Sequence, residues 1–388
     1  MEFQLTQEQG RLKEQARTFL EKEISPIVAE HDRRHCPLPK EVTVELFKKI
    51  APLGFLGGIV PKKDGGSGLS YITYALLLEE FSRSCSGFAY MTTVHCSMGP
   101  LALSRLGTPV QKAKFLDKLM SGEWICGFAG TEPNVGSGAR DYETTAVRDG
   151  NTYIINGTKV WITNGPVLDI LGILVSTPKA GGGRATSWFI IEKSVSPFTA
   201  RELPKLGFHC CPTGELILRN CKVPAENLVG QEGEALRLSH PLLLLGRCQH
   251  GIFAVGLAQG ALDASVKWAR ENMQAGRPLG RSQIIEGMIA DMAIETEAAR
   301  LLSLKAFDVV EKGIATDKEP SIAKAYATEV AVKITSKAMQ LYGTYGLSNA
   351  YPVERYFRDA RILTMPEGTT EMQKLIVGRE FSGIAAFT

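Results

Sequence analysis

The chain has 388 residues, which favours two or three domains over a single core, and its 44% apolar and 22% charged residues indicate a globular rather than a disordered protein. The net charge of +3, without any Lys/Arg run, gives no support to a nucleic-acid partner. The longest candidate for an apolar span, Pro241–Leu245, is far too short to cross a bilayer, so no membrane span is expected.

The N-terminal residues Met1–Gln4 lead straight into a helical pattern and show neither a secretory signal nor an Arg-rich transit pattern. We expect a cytoplasmic protein of the bacterial type, although a removed mitochondrial transit peptide would leave no trace. The eight cysteines are scattered without C-x-x-C spacing. They are expected to be buried, reduced thiols, and no metal site is predicted.

The first domain, 1–124, is predicted to be helical. Thr6 and Gln9 have the spacing of a capping box ahead of the first apolar stripe. The turn-rich segment 61–68 interrupts the pattern, and helix-like spacing returns over Ile72–Phe81 and Val110–Leu119.

The middle domain, 125–232, is predicted to be a mostly antiparallel β domain. Asp149-Gly150 and Asn156-Gly157 are typical of two-residue hairpin turns. The predicted strands are Thr144–Val147, Thr152–Ile155, Lys159–Thr163, Ile173–Ser176, Trp188–Glu192 and Glu215–Leu218.

The helical period dominates again in the C-terminal domain, 233–388. Long apolar stripes with short connections indicate a bundle of four helices, the last two being Ala325–Tyr342 and Met372–Phe381. The predicted fold class is therefore mainly α with a β domain, the sheet lying between two helical domains.

Three segments carry candidate chemistry. The turn Thr131–Gly138 can present backbone N–H groups and a hydroxyl to a phosphate, or is a plain surface loop. Trp161 and Thr163, two apart on one strand, either belong to the core or flank a flat aromatic cofactor. Glu367 precedes Gly368 in a tight turn before the last helix, where it is either a rigidly held carboxylate or an acidic helix cap.

In this order and spacing, the segments resemble the acyl-CoA dehydrogenase family over essentially the whole chain. The middle-domain signature is matched by Phe128–Pro133, Gly136-Ser137 and Trp161–Asn164. The C-terminal signature is matched by Gln340, Gly343, Gly346, Tyr351–Glu354, Arg358–Ala360 and Glu367–Thr369. The resemblance implies the acyl-CoA dehydrogenase fold: an N-terminal helical domain, a middle antiparallel β domain and a C-terminal four-helix bundle.

The resemblance also implies FAD as the cofactor. Thr131 and Thr163 match positions that hydrogen-bond the isoalloxazine ring, Trp161 matches the residue packed against it, and Gly136 and Ser137 match positions near the phosphates. The other implied FAD contacts are Phe128, Gly130, Arg277, Gln340, Thr344, Thr369 and Glu371. Because Arg277 and Gln340 are expected to reach the FAD of a neighbouring subunit, a homo-oligomer is implied, either a dimer or a tetramer.

An acyl-CoA thioester is the implied substrate. The implied substrate-binding residues are Met91, Thr92, His95, Ser137, Arg247 and Gly368. The polar character of Thr92, Thr93 and His95 leaves a dicarboxylic or otherwise functionalised acyl chain open beside short, medium, branched and cyclic ones.

By the same resemblance, Glu367 is the catalytic base that removes the α-proton, and the β-hydrogen leaves as hydride to flavin N5, giving the 2,3-enoyl-CoA. Burial is expected to raise the pKa of Glu367 toward that of a useful base. The backbone N–H of Glu367 and a flavin ribityl hydroxyl are the implied donors to the thioester oxygen. An electron-transferring flavoprotein is the implied electron acceptor.

Three departures from the family pattern stand out. Pro366 replaces the tyrosine that often precedes the catalytic glutamate, and Gly246 occupies the position that carries the base in some members. The usual FAD-phosphate arginine stretch is altered to Gly276–Gly280, which leaves Arg277 as its substitute. A flavin oxidase or monooxygenase on the same fold is an alternative function, and a nucleic-acid-associated flavoprotein is another that the charge does not support.

Overall fold

The computed structural model describes residues 4–137, 141–179 and 181–384, so Gly138 of the predicted turn lies outside the described residues. The N-terminal region is helical, as predicted. Its helices are α1 Gln7–Phe19, α2 Ser25–Arg33, α3 Lys40–Ile50, α4 Tyr71–Cys96, α5 Ala102–Leu106 and α6 Pro109–Met120.

The capping box at the start of α1 is confirmed. The Thr6 hydroxyl accepts a hydrogen bond from the Gln9 backbone N–H at 3.2 Å, and the Gln9 side chain accepts one from the Thr6 N–H at 3.1 Å. Two N–H groups that the first turn cannot pair internally are thereby satisfied. The helix that follows is fixed against α4 by Arg17, which donates to the buried Glu80 at 2.8 Å through two nitrogens.

The middle region forms one sheet with strand order β6-β7-β3-β2-β4-β5-β8, and β1 also pairs with β4. Its strands are β1 Cys126–Ala129, β2 Thr145–Asp149, β3 Thr152–Thr163, β4 Ile170–Pro178, β5 Arg184–Glu192, β6 Thr199–Glu202, β7 Thr213–Pro224 and β8 Leu228–Val229. The sheet is mixed rather than purely antiparallel, because β4 pairs in parallel with both β1 and β2.

The hairpin predicted at Asp149-Gly150 is confirmed, since Asp149 pairs with Thr152 across an antiparallel turn. The one predicted at Asn156-Gly157 is wrong. Strand β3 runs through both residues, and a register shift against β7 lies between Ile155 and Gly157. The glycine, with φ of +152°, therefore marks a bulge in a continuous strand.

The C-terminal region is a helical bundle. Its elements are α7 Ala235–Glu271, the short strands β9 Met273–Gln274 and β10 Arg277–Pro278, and the helices α8 Gln283–Glu311, α9 Lys318–Tyr342, α10 Val353–Leu363 and α11 Thr370–Ser382. Helix α7 packs against α4, α8 and α9. Close approach to α4 requires Gly256, because a Cβ there would lie 1.9 Å from the Ser82 hydroxyl oxygen.

Helix α7 is long and apolar enough to cross a membrane, although the sequence predicted no such segment. In the structure, 83% of its most apolar window is buried inside the protein. That burial is typical of the central helix of a globular core. It also explains the apolarity on all faces of α7, since neighbours from both helical regions surround it.

Candidate active site

The turn that carries Glu367 connects α10 to α11 and is held from two sides. Lys324 of α9 is fully buried and donates from Nζ to the Gly368 carbonyl at 2.7 Å. Gln373 of α11 donates from Nε2 to the carbonyls of Glu367 at 2.9 Å and Gly368 at 3.0 Å. Glu367 has φ of +56°, a left-handed conformation uncommon outside glycine. The carboxylate is thus presented by a strained and firmly anchored backbone.

The Glu367 carboxylate lies in a desolvated position, where its Oε2 is buried without a hydrogen-bond partner among the described residues. Burial raises the pKa of Glu367, while the positive charges of Arg247 and Lys324 act in the opposite direction. A Cβ placed on Gly246 would lie 3.1 Å from the Glu367 carboxyl group. The two sequence positions that the resemblance implies for a base therefore lie next to each other.

Helix capping at the start of α11 is provided by another residue. The N-cap is Thr369, whose hydroxyl accepts from the Met372 N–H at 3.4 Å. Glu371 supplies the acidic charge of the first turn, and hydrogen bonds from its own backbone and from Thr369 lower its pKa. Glu367 is therefore not needed as the acidic cap, and its buried carboxylate is available for chemistry.

Trp161 lies on a bulge near the end of β3. The register against β7 shifts between Lys159 and Ile162, and Trp161 has φ of +62°. Its side chain is 57% exposed, which argues against a core role for a residue of this size. Thr163, two residues further along, is nearly buried.

A buried ion pair organises the turn that follows β1. Lys159 donates from Nζ to Glu132 Oε1 at 2.7 Å and to the Gly130 carbonyl at 2.9 Å, and both charged side chains are almost fully buried. The Val160 N–H donates to the Thr131 carbonyl at 3.0 Å. These bonds fix the turn at Thr131 against the β3 bulge, so that the two predicted flavin segments lie side by side.

The exposed groups of this region fit a flavin. The Trp161 indole offers a large apolar face, and Thr131 beside it is exposed. Gly136 and Ser137 are exposed further along the same turn, whereas Phe128 and Gly130 are half-buried beneath it. A flat ring is accommodated by the indole and hydroxyls, and phosphates by the Gly/Ser turn.

The polar side chains of the predicted acyl-pocket residues on α4 form hydrogen bonds to backbone groups of the protein. Thr92 and Thr93 donate to the Phe88 and Ala89 carbonyls, both at 2.8 Å. His95 is fully buried between the Leu119 carbonyl and the Cys126 N–H, each at 3.0 Å, and burial lowers its pKa to about 4.

Met91 of the same helix is also fully buried, and its carbonyl accepts from Asn164 Nδ2 at 3.1 Å. The assignment of Met91, Thr92 and His95 to substrate binding stays a prediction.

Other predicted residues lie around or away from the Glu367 turn. Arg247 of α7 forms an ion pair with Asp317 at 2.6 Å while its charge acts on Glu367. Arg277, in the β9–β10 hairpin, and Gln340 and Thr344, at the end of α9, are all exposed at the surface. Their proposed contact with FAD, in a neighbouring subunit for Arg277 and Gln340, stays a prediction.

Four residues around the candidate site were not identified from the sequence: Tyr90, Lys159, Lys324 and Gln373. No local sequence motif indicates that a lysine in the middle of a predicted helix or strand will be buried. The one available signal was charge at positions where the apolar period expects core, as at Lys159 and Lys324.

The fold and the site fit a flavoprotein, and the comparisons with known proteins identify it as an oxidoreductase of the acyl-CoA dehydrogenase class. Residues 6–123, 127–221 and 236–381 match the N-terminal, middle and C-terminal domains of acyl-CoA dehydrogenase. The chain belongs to the acyl-CoA dehydrogenase family, whose members are FAD-dependent. The domain boundaries at 124/125 and 232/233 stay predictions.

Among curated relatives, the acryloyl-CoA reductase (NADH) of Anaerotignum propionicum is 38% identical over 98% of this chain and 96% of its own length. The caffeyl-CoA reductase-Etf complex subunit CarC of Acetobacterium woodii is 37% identical over 93% of this chain and 95% of its own.

Among solved structures, butyryl-CoA dehydrogenase from Megasphaera elsdenii has a TM-score of 0.92 and 35% identity, covering 98% of this chain and 100% of that one. A glutaryl-CoA dehydrogenase from Mycobacterium smegmatis in complex with FADH2 has a TM-score of 0.92 and 28% identity, covering 99% and 97%.

Proposed function

We propose that the protein catalyses α,β-dehydrogenation of an acyl-CoA thioester to the 2,3-enoyl-CoA, with Glu367 as the base that removes the α-proton. The observation that carries this proposal is the position of Glu367, whose Oε2 is buried without a hydrogen-bond partner among the described residues, on a strained turn anchored by Lys324 and Gln373. A proton-abstracting group must be oriented and partly desolvated, and both conditions are met here.

Glu367 would take the proton in its carboxylate form, and Arg247 and Lys324 keep that form accessible by opposing the effect of burial on its pKa. The exposed Trp161 and Thr131, with Thr163 and the Gly136-Ser137 turn, would hold the FAD. When bound, FAD supplies the two-electron acceptor for the β-hydrogen.

An electron-transferring flavoprotein is the proposed electron partner. Support comes from the caffeyl-CoA reductase relative, which is named as a subunit of an Etf complex. Two relatives are named as reductases, one of acryloyl-CoA and the other of caffeyl-CoA. The dehydrogenation direction is preferred because solved structures of similar fold include butyryl-CoA and glutaryl-CoA dehydrogenases. A flavin oxidase is the second candidate function. It would be favoured if O₂ reoxidised the reduced flavin as fast as the electron-transferring flavoprotein does.

The test is the rate of flavin bleaching when the purified enzyme is mixed anaerobically with acyl-CoA thioesters. Glu367→Gln is nearly isosteric, so fold, FAD content and thioester binding are expected to persist. Bleaching should slow by at least about a hundredfold, because a general base typically contributes 10²–10⁴-fold. Glu380→Gln, an exposed glutamate on α11 with no assigned role in FAD or substrate binding, is the matched control. Bleaching at a normal rate in Glu367→Gln would contradict the proposal.

A further inference from the structure

Tyr90 of α4 lies at the candidate site although no motif marks it. Its ring stacks on Phe208 at 4.9 Å between centroids and meets His250 and Phe253 edge-on at 5.6 and 5.9 Å. Aromatic neighbours on three sides fix the orientation of the ring. The residue is nonetheless only half-buried, so part of its surface borders open space.

Two independent observations locate that space beside the base. The His250 ring that contacts Tyr90 lies 2.8 Å, through Nδ1, from the Gly246 carbonyl, and a Cβ on Gly246 would lie 3.1 Å from the Glu367 carboxyl group. Burial and, after it, the negative charge of Glu367 raise the pKa of the Tyr90 hydroxyl, while the Thr163 side chain acts in the opposite direction. The phenol is therefore close to both the proposed base and a proposed flavin-contacting threonine.

The side chains around Tyr90 present mainly apolar surface to an acyl group. Thr92, Thr93 and His95 are engaged in bonds within α4 or to β1 and α6. Of the nearby cations, Arg247 is paired with Asp317 and Lys324 with the Gly368 carbonyl. This environment disfavours a distal carboxylate, which needs a free cationic partner when it is buried.

We propose that Tyr90 forms the end wall of the acyl site and restricts the substrate to short, apolar acyl groups. The inference rests on the proposed function, because it assumes that the acyl chain enters between Glu367 and Thr163. A chain that extends past its β-carbon meets the phenol, which Phe208, His250 and Phe253 prevent from moving aside. Removing the ring opens a channel lined by those three side chains.

The experiment compares kcat/KM for butyryl-, hexanoyl- and octanoyl-CoA in the FAD-loaded enzyme and in Tyr90→Ala. The wild type is expected to prefer butyryl-CoA. Tyr90→Ala should raise the hexanoyl-to-butyryl ratio on the order of tenfold, since each newly buried methylene contributes about fourfold to binding. Tyr90→Phe keeps the ring and should leave this ratio within about threefold of wild type. If Tyr90→Ala does not fold, Tyr90→Leu is used in its place for the same comparison.

An unchanged ratio in Tyr90→Ala or Tyr90→Leu, or a wild type that prefers octanoyl-CoA, would overturn the role of Tyr90. Binding of the corresponding 2-enoyl-CoA thioesters, measured by calorimetry, gives the same ratio without turnover. If no thioester bleaches the flavin but the binding ratio shifts as expected, the proposed reaction is contradicted and the role of Tyr90 as the end wall is supported. If bleaching occurs but the binding ratio does not shift, the proposed reaction is supported and the role of Tyr90 is contradicted.

Discussion

Three of the seven described non-glycine residues with positive φ lie where the chemistry is proposed. Glu367, Trp161 and Asn164 have φ of +56°, +62° and +65°, and a left-handed residue other than glycine costs about 1–3 kcal/mol. Glu367 is held by Gln373, which donates to its carbonyl, and Asn164 donates from Nδ2 to the carbonyls of Met91 at 3.1 Å and Cys126 at 2.8 Å. The surrounding bonds offset the strain and fix the directions of the side chains.

The charge of Arg247 is expected to set the pH at which the base becomes active. Only the carboxylate form of Glu367 accepts a proton, so kcat/KM should rise with pH through a pKa above the ordinary 4.5 and then level off. Arg247→Leu removes a charge that lowers this pKa and should move the rising limb to higher pH. The pH profile of kcat/KM is the measurement. Arg379→Leu, which removes the other arginine on Asp317, is the control and should not move the limb. If kcat/KM of Arg247→Leu rises over the same pH range as that of the wild type, the proposed effect of Arg247 on the pKa of Glu367 is contradicted.

Lys159 is expected to be required for both stability and FAD retention. Lys159→Met leaves the buried Glu132 without its cationic partner, which typically costs about 3–5 kcal/mol. It also frees the Gly130 carbonyl, so the turn at Thr131 should loosen and FAD occupancy fall. Chemical denaturation and flavin absorbance measure the two effects. Lys159→Met with Glu132→Gln should recover part of the stability, and no recovery in the double variant would argue against the ion pair as the cause.

At the scale of elements, the catalytic turn depends on α9 although it belongs to the α10–α11 connection. Lys324→Met keeps a similar volume but removes the bond to the Gly368 carbonyl. We expect kcat to fall at least about tenfold with a smaller change in KM, because small displacements of a catalytic group are costly. Lys333→Met, at an exposed ion pair on the same helix, is the matched control. Equal kinetics for the two variants would exclude an anchoring role for Lys324.

Much of the fold was predictable because its signals are local. The capping box at Thr6, the Asp149-Gly150 hairpin and the long apolar stripes of the bundle each depend on residues a few positions apart. Strands β6 and β8 were not predicted, because four and two residues are too few to show an alternating pattern. The pairing of β1 and β2 in parallel with β4 depends on contacts across the sheet, which a single sequence does not encode locally.

The candidate site was predictable only where a motif marks it. Glu367, Trp161 and Thr131 lie in recognisable turns and strand ends, whereas Tyr90 lies in a helix that is buried nearly all round. In such a helix the apolar period does not show which face meets the site. The non-helical Cys85, with φ of −149° and ψ of 66°, also shifts the phase within α4, so spacing counted from its start does not indicate where Tyr90 points.

At the scale of the whole molecule, the surface indicates a partner. Apolar side chains are exposed along α8 and near the end of α9, among them Ile284 at 76%, Ile294 at 67% and Leu347 at 75%. Large exposed apolar residues in one region are typical of an interface. We therefore expect light scattering to give at least twice the 42.2 kDa mass of one chain. A monomer with full FAD content would contradict this expectation.

Subunit mixing tests whether that partner completes the cofactor site. Arg277→Glu and Glu367→Gln should each be inactive as pure oligomers, the first through lost FAD and the second through the lost base. If Arg277 serves the neighbour's FAD, a mixed dimer contains one site with both native residues. Refolding an equal mixture should then restore about a quarter of wild-type activity, since half of the symmetric dimers are hybrids with one native site each. If Arg277 acts within its own subunit, every site lacks one residue and the mixture stays inactive. Mixing Glu367→Gln with Lys324→Met, a change in the catalytic turn and one in the α9 residue that anchors that turn in the same subunit, is the control and should give no gain beyond the residual activity of its parents.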